Sequence, residues 1–264
     1  MKKEKELYKE LVSVTSCLDY TVTQESFELL LNKEYEMMVT QPVPVDLGNY
    51  YKSDAYISHT NANKSFLDKV YQSVRKRTLK KKLTLINSFN FSTKKILDVG
   101  AGTGDFLATC KQDYWNIFGV EPNKEARVIS NKFSTCSNTC QRVITSKFFS
   151  SIKEMSFTVF TPLLLEILKS KLSATGVLII AVPNYKSFDA TYYKEFWAAF
   201  DVPRHLWHFS QTAIQKLFSN VSMKIEKTLP MKYDSYYVSL LSEKNKTGRF
   251  NFLRALFVGY RSNT

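Results

Sequence analysis

The sequence predicts an α/β fold with a doubly wound, mostly parallel sheet, and three observations carry that prediction. From Lys95 onward, short apolar runs alternate with helical patterns. The clearest of these runs are apolar throughout rather than at every second position. Three of the eight glycines lie within five residues, where the first run ends and a helix begins. Strands buried on both faces lose the two-residue alternation, and strand–helix alternation is the pattern of crossover connections between parallel strands.

The elements follow in order. Residues 1–60 read as an N-terminal appendage or lid: a short helical start, a stretch rich in Thr, Val and Phe (Tyr20–Phe27), then turn residues Pro42, Pro44 and Gly48. Residues 61–89 read as a long amphipathic lead-in helix, with Leu67, Val70, Tyr71, Val74, Leu79, Leu83 and Ile86 at helical spacing. This helix opens the α/β domain, assigned to residues 61–264. Lys95–Val99 is its first strand and Ile117–Glu121 its second, with a helix from Phe106 to Lys111 between them. A helix spans Lys124–Phe133. Gln141–Thr145 and Phe157–Thr161 are expected as the third and fourth strands, and Leu163–Leu172 as helix. Val177–Val182 is the fully apolar fifth strand and Met223–Lys227 the sixth, with a helix over Ser210–Phe218 between them. Arg249–Tyr260 reads as an amphipathic helix, so a seventh strand is expected to be missing.

Composition narrows the class. With 264 residues and 44% apolar content, the chain is long enough to bury a sizeable core and too apolar for general disorder. No apolar stretch approaches the ~20 residues of a membrane span, and the charged start MKKEKELYKE leads into no apolar signal core. Four scattered cysteines argue against a disulfide framework. Cys136 with Cys140 and His205 with His208 do not add up to a metal site, so no metal is expected. These features point to a cytoplasmic protein without a membrane partner. The net charge of +13 is spread along the chain. Its one dense run, Arg75 to Lys82, reads better as a solvated helix face than as a phosphate-binding surface.

The chemistry concentrates in Ile96-Leu-Asp-Val-Gly-Ala-Gly-Thr-Gly-Asp-Phe-Leu107. Glycines between a strand and a helix let bare backbone approach a ligand. A dinucleotide motif would place glycine where Asp105 stands, and Asp105 and Asp98 would both oppose a bound pyrophosphate. The same acids suit a cationic nucleoside without phosphates, and S-adenosylmethionine, with a sulfonium and an ammonium group, is such a ligand. Glu121 ends the next strand, where a carboxylate accepts hydrogen bonds from ribose hydroxyls.

ILDVGAGTGDFL followed by GVEPN resembles the first two motifs of the class I S-adenosylmethionine-dependent methyltransferases. Val177–Asn184 looks like their fifth strand and its exit. Asp201–Ser210 resembles a signature of a bacterial branch related to ubiquinone-type small-molecule methyltransferases, and Tyr50–His59 resembles that branch's lid. The resemblance implies a Rossmann-like fold and S-adenosylmethionine as cofactor. It also implies cofactor contacts from Asp98, Gly100, Gly102, Gly104, Glu121 and Pro122. Asp98 would orient the amino group and Glu121 hold the ribose. Tyr56, His59 and Arg204 would face a small-molecule methyl acceptor.

Methyl transfer from sulfonium needs mostly positioning and removal of the acceptor's proton. Of the three histidines, His205 and His208 follow the fifth strand, near the carboxyl end of the sheet where ligands bind, and they are the candidate bases. Packing beside Trp207 or capping the helix at Ser210 is the plainer account of both. Two departures from the family stand out: Phe157–Thr161 runs straight into Pro162 with no room for the usual acceptor loop, and the last strand is missing. The expected activity is therefore methyl transfer to oxygen or nitrogen of a small molecule. A cofactor-binding protein without turnover is one alternative. A nucleic-acid methyltransferase is another, weakened by the lack of an Asn/Asp-Pro-Pro-aromatic or Pro-Cys motif.

Overall fold

The computed structural model describes residues 7–51, 66–121, 123–133 and 162–264. Contacts divide the chain into two compact units, one of Met1–Tyr50 with Thr158–Thr264 and the other of Tyr51–Phe157.

In the Tyr51–Phe157 unit, helix α1 (Phe66–Asn87) leads into strand β4 (Lys95–Val99), helix α2 (Asp105–Gln112), strand β5 (Asn116–Val120) and helix α3 (Lys124–Phe133). β4 and β5 pair in parallel, with Ile96 opposite Ile117 and Asp98 opposite Gly119. A right-handed crossover through α2 is the standard link between such strands. The core of this unit comprises Ile86 of α1, Leu107 and Cys110 of α2, Trp115 and Ile117. Asn87 accepts from the Trp115 indole at 3.0 Å and donates to Asp113 at 2.9 Å, tying the end of α1 to the turn before β5.

The other unit corrects the expected helical start. Strands β1 (Leu11–Leu18), β2 (Ser26–Asn32) and β3 (Met37–Gln41) form an antiparallel meander, completed by the late strand β6 (Trp207–Phe209) against β3. Side chains alternate between two cores, as the pleat requires. Met37, Val39, Trp207 and Phe209 join a core with Leu165 of α4 (Pro162–Lys171) and Leu217 of α6 (Gln211–Ser219). Met38, Phe27 and Leu29 face the opposite core with Tyr193 of α5 (Phe188–Tyr193) and Val258 of α8 (Phe252–Ser262). Helix α7 (Lys232–Thr247), which the sequence did not predict, packs against α8. This sheet is therefore covered on both faces although every pair in it is antiparallel.

Two expected strands are also corrected. Val177–Val182 and Met223–Lys227 join neither described sheet. Leu178 and Ile180 pack on the first core while Val177, Ile179 and Val182 are exposed, and Met223 and Ile225 lean on that core in the same way. Such one-sided segments are not the doubly buried strands that continuous apolarity implied. The described parallel sheet is the β4–β5 pair, and the expected third and fourth strands lie outside the described residues. No strand follows β6 among the described residues. No helix described is long and apolar enough to cross a membrane.

Candidate active site

The glycine bend hangs on the end of β5. The backbone N–H groups of Gly100 and Ala101 both donate to the Val120 carbonyl, at 2.8 and 3.1 Å. Gly100, Gly102 and Gly104 all have φ between 55° and 81°, the left-handed region that side-chain-bearing residues avoid. Their surroundings differ. A Cβ added at Gly100 or Gly102 would meet nothing within 4 Å, whereas one at Gly104 would lie 2.3 Å from the Ser130 hydroxyl of α3 and 3.1 Å from its Cα. The first two glycines thus leave bare backbone beside open space. The third lets α3 approach the start of α2.

Two carboxylates bracket this backbone. Glu121 accepts from Gly102 N–H through Oε2 and from Asn123 N–H through Oε1, both at 2.8 Å. Asn123 in turn caps α3 by accepting from Ala126 N–H, and Arg127 donates to the Glu121 carbonyl at 2.6 Å. A carboxylate offers about four lone-pair sites, so both oxygens of Glu121 retain capacity for hydroxyl donors. Asp98 is half-buried at the end of β4. Burial pushes its carboxyl above the usual range, Lys82 of α1 pulls it down, and the Glu121 charge pushes it up again. Asp98 and Glu121 therefore share one electrostatic environment. Asp105, the acid at the third-glycine position of a dinucleotide motif, is paired with Arg75 and accepts from Thr103. That pairing partner, and Lys82 facing Asp98, were missed by sequence reasoning. Their only signal was the basic run read as a solvated face.

These residues fit a cationic, phosphate-free nucleoside. A pyrophosphate at the bend would face Asp98 and Glu121 across the backbone it needs. A cation there lowers the cost of holding two carboxylates together. Pro122 lies outside the described residues, as do Tyr56 and His59.

Arg204, His205 and His208, the expected acceptor-side residues that are described, belong to the other unit. His208 is 4% exposed on β6, edge-on to Phe200 at 5.3 Å. The Thr40 hydroxyl donates its one proton to the His205 carbonyl at 2.8 Å, so it can only accept from His208 Nε2–H at 2.9 Å. Burial, then the nearby His205 charge, push the His208 imidazole down to about 3, and the ring is neutral throughout the physiological range. His205 is half-buried, and its Nδ1 donates to the Ala199 carbonyl at 3.1 Å. That bond leaves Nε2 as the proton acceptor of the ring. Arg204, 2% exposed, is a structural cross-link rather than a substrate ligand. Its guanidinium donates to Asp19 and Asp201, both at 2.8 Å, and to the Tyr50 carbonyl at 3.0 Å.

Residues 71–227 match a family model described as a methyltransferase domain. The match covers more than half of the chain and contains the glycine bend, both bracketing carboxylates, Arg204 and both histidines. No curated protein matches the chain.

Proposed function

The chain belongs to the methyltransferase-domain family, and from that premise we propose that it binds S-adenosylmethionine at the Gly100–Gly104 bend and methylates oxygen or nitrogen of a small molecule. The observation that carries this reading is bare left-handed backbone beside open space, bracketed by Asp98 and the Glu121 carboxylate. The cofactor, when bound, supplies a methyl group activated by positive sulfur. Asp98 orients its ammonium group, and Glu121 takes its ribose hydroxyls on lone pairs that Gly102 and Asn123 leave unused. Of the two candidate bases, the reading assigns the acceptor's proton to His205. Its Nδ1–H bond to Ala199 fixes the tautomer and leaves Nε2 available, whereas the His208 proton is committed to Thr40. Tyr56 and His59 keep the acceptor-side role that the lid resemblance gives them.

Calorimetric titration with S-adenosylmethionine tests the binding half. Asp98→Ala and Glu121→Ala are each expected to weaken affinity at least about tenfold, the scale of a lost charge-assisted hydrogen bond. No binding by the parent protein, or unchanged affinity in both variants, overturns the assignment. The catalytic half is read as S-adenosylhomocysteine released over a panel of hydroxyl and amine acceptors. His205→Gln should lower that rate by about 10²-fold or more with cofactor affinity retained.

A second reading, cofactor binding without turnover, is favoured by the closing-off of Arg204 and His208, two residues expected to face the acceptor. Binding of the cofactor with no homocysteine product across the panel would select it.

A further inference from the structure

We propose that helix α8 and the segment leading into it lie on an anionic lipid surface. The helix is inverted relative to one that faces water. It packs inward through its small residues, with Ala255, Val258 and Gly259 buried. A Cβ at Gly259 would come within 2.9 Å of the Tyr236 Cα on α7. Its large residues point out: Leu253 is 82% exposed, Leu256 55%, Phe257 58% and Tyr260 60%. These four recur at i, i+3, i+4 and i+7, so they form one continuous apolar stripe opposite the packed face. Contiguous apolar surface of this kind marks a contact with something other than water.

Charge identifies the occupant. From Lys244 to Thr264 the chain carries Lys244, Lys246, Arg249, Arg254 and Arg261 and no Asp or Glu. Arg254 and Arg261, both exposed, are seven residues apart and flank the stripe along one side. Arg254 lies 3.9 Å from the buried Glu243 carboxylate, and Arg261 stacks over the Phe188 ring at 5.2 Å. An apolar stripe with aromatic residues and an exposed basic margin is the pattern of a helix lying at the headgroup boundary. A second copy docked by two-fold symmetry would bring two all-basic margins together. At 11 residues the helix is about 16 Å long, half the thickness of a bilayer core, so it lies in the interface and does not cross it. A helix of this kind needs no spanning length, and a membrane surface becomes a proposed partner of the chain.

Flotation of the full chain with vesicles tests the proposal. The protein should rise with equimolar phosphatidylglycerol and phosphatidylcholine and stay behind with phosphatidylcholine alone, and added salt should release it. Leu256→Glu with Phe257→Glu should cut the bound fraction at least tenfold. Both positions are more than half exposed, so an unchanged circular dichroism spectrum is expected alongside. Arg249→Gln and Arg261→Gln should each weaken binding about fivefold. Failure of the parent protein to float, equal binding to both vesicle types, or flotation that survives the double glutamate change overturns the proposal. A concentration-dependent dimer dispersed by Phe257→Glu, without flotation, assigns the stripe to a second copy instead.

Discussion

Arg204 reads in the sequence as a cation waiting for an acidic substrate, yet its partner, Asp19, is fully buried at the end of β1. The Asp19 carboxyl also accepts from the backbone of Thr21, Val22 and Thr23 in the β1–β2 turn. Burial alone would raise its pKa, but the bond to Arg204, the backbone bonds and the Arg204 charge outweigh it and hold the group below its usual range. A depressed carboxylate stabilises the fold above its unfolded pKa and ceases to as pH falls through its folded one. Arg204→Met reverses that sign, since burial is then opposed only by the turn. The substitution is expected to cost about 3–5 kcal/mol at pH 7 and clearly less in acid, once Asp19 of the variant takes up a proton. Urea denaturation under the two conditions measures the difference. Asp98 has the opposite sign. Its raised pKa means that ionising it in the folded state costs stability, a cost absent below the unfolded value of 3.8 and incurred as pH rises through the folded one. Asp98→Asn should therefore stabilise the protein by about 1 kcal/mol at neutral pH, in line with other strained functional groups, while weakening S-adenosylmethionine binding. In the parent protein, protons compete with the cationic ligand, and affinity should fall on acidification through that same window.

Among the elements, the three glycines of the bend separate by what they face. Gly100→Ala meets no atom and adds only the left-handed strain of about 1–2 kcal/mol, whereas Gly104→Ala adds that strain and drives a methyl group into Ser130. Gly104→Ala should be the more destabilising by about 1–3 kcal/mol, the usual range for overpacking, in thermal or urea unfolding. This part of the fold was legible because its signals are local: β4, the bend, α2 and β5 follow one another within thirty residues, and each carries its own punctuation. β1 to β3 were not legible, because their meander is completed by β6 some 170 residues later and the alternating Ser, Thr and Cys positions of β1 mimic loop composition. Val177–Val182 failed for the converse reason. Its side chains are apolar on both faces, but only Leu178 and Ile180 lie against the described core. The place of Asp98 and Glu121 at strand ends was legible from the local pattern, while the ion pair of Arg204 was not, because nothing near it in sequence announces Asp19.

At the scale of the whole molecule, the unit that holds the glycine bend is inserted into one built from both flanks of the chain. The three tryptophans are divided between them: Trp115 packs beside Ile117 in the first, Trp197 and Trp207 in the two cores of the second. Each unit therefore has its own fluorescent reporter. If the bend is the S-adenosylmethionine site, the ligand acts on the unit that Trp115 reports. Binding to the native state adds RT ln(1 + [L]/Kd), about 2.7 kcal/mol at a hundredfold excess over Kd. In a variant that retains Trp115 alone, with Trp197→Phe and Trp207→Phe, the urea midpoint should rise by that free energy divided by the denaturant slope m when the ligand is present. In the complementary Trp115→Phe variant, read through Trp197 and Trp207, the midpoint should move far less. The exchange of ligand for urea also fixes the direction: a site built from Arg204, His205 and His208 alone would move the second reporter and leave the first in place. A rise confined to Trp197 and Trp207 would therefore relocate the ligand to the antiparallel sheet, and the pairing of Asp98 with Glu121 would lose its functional meaning.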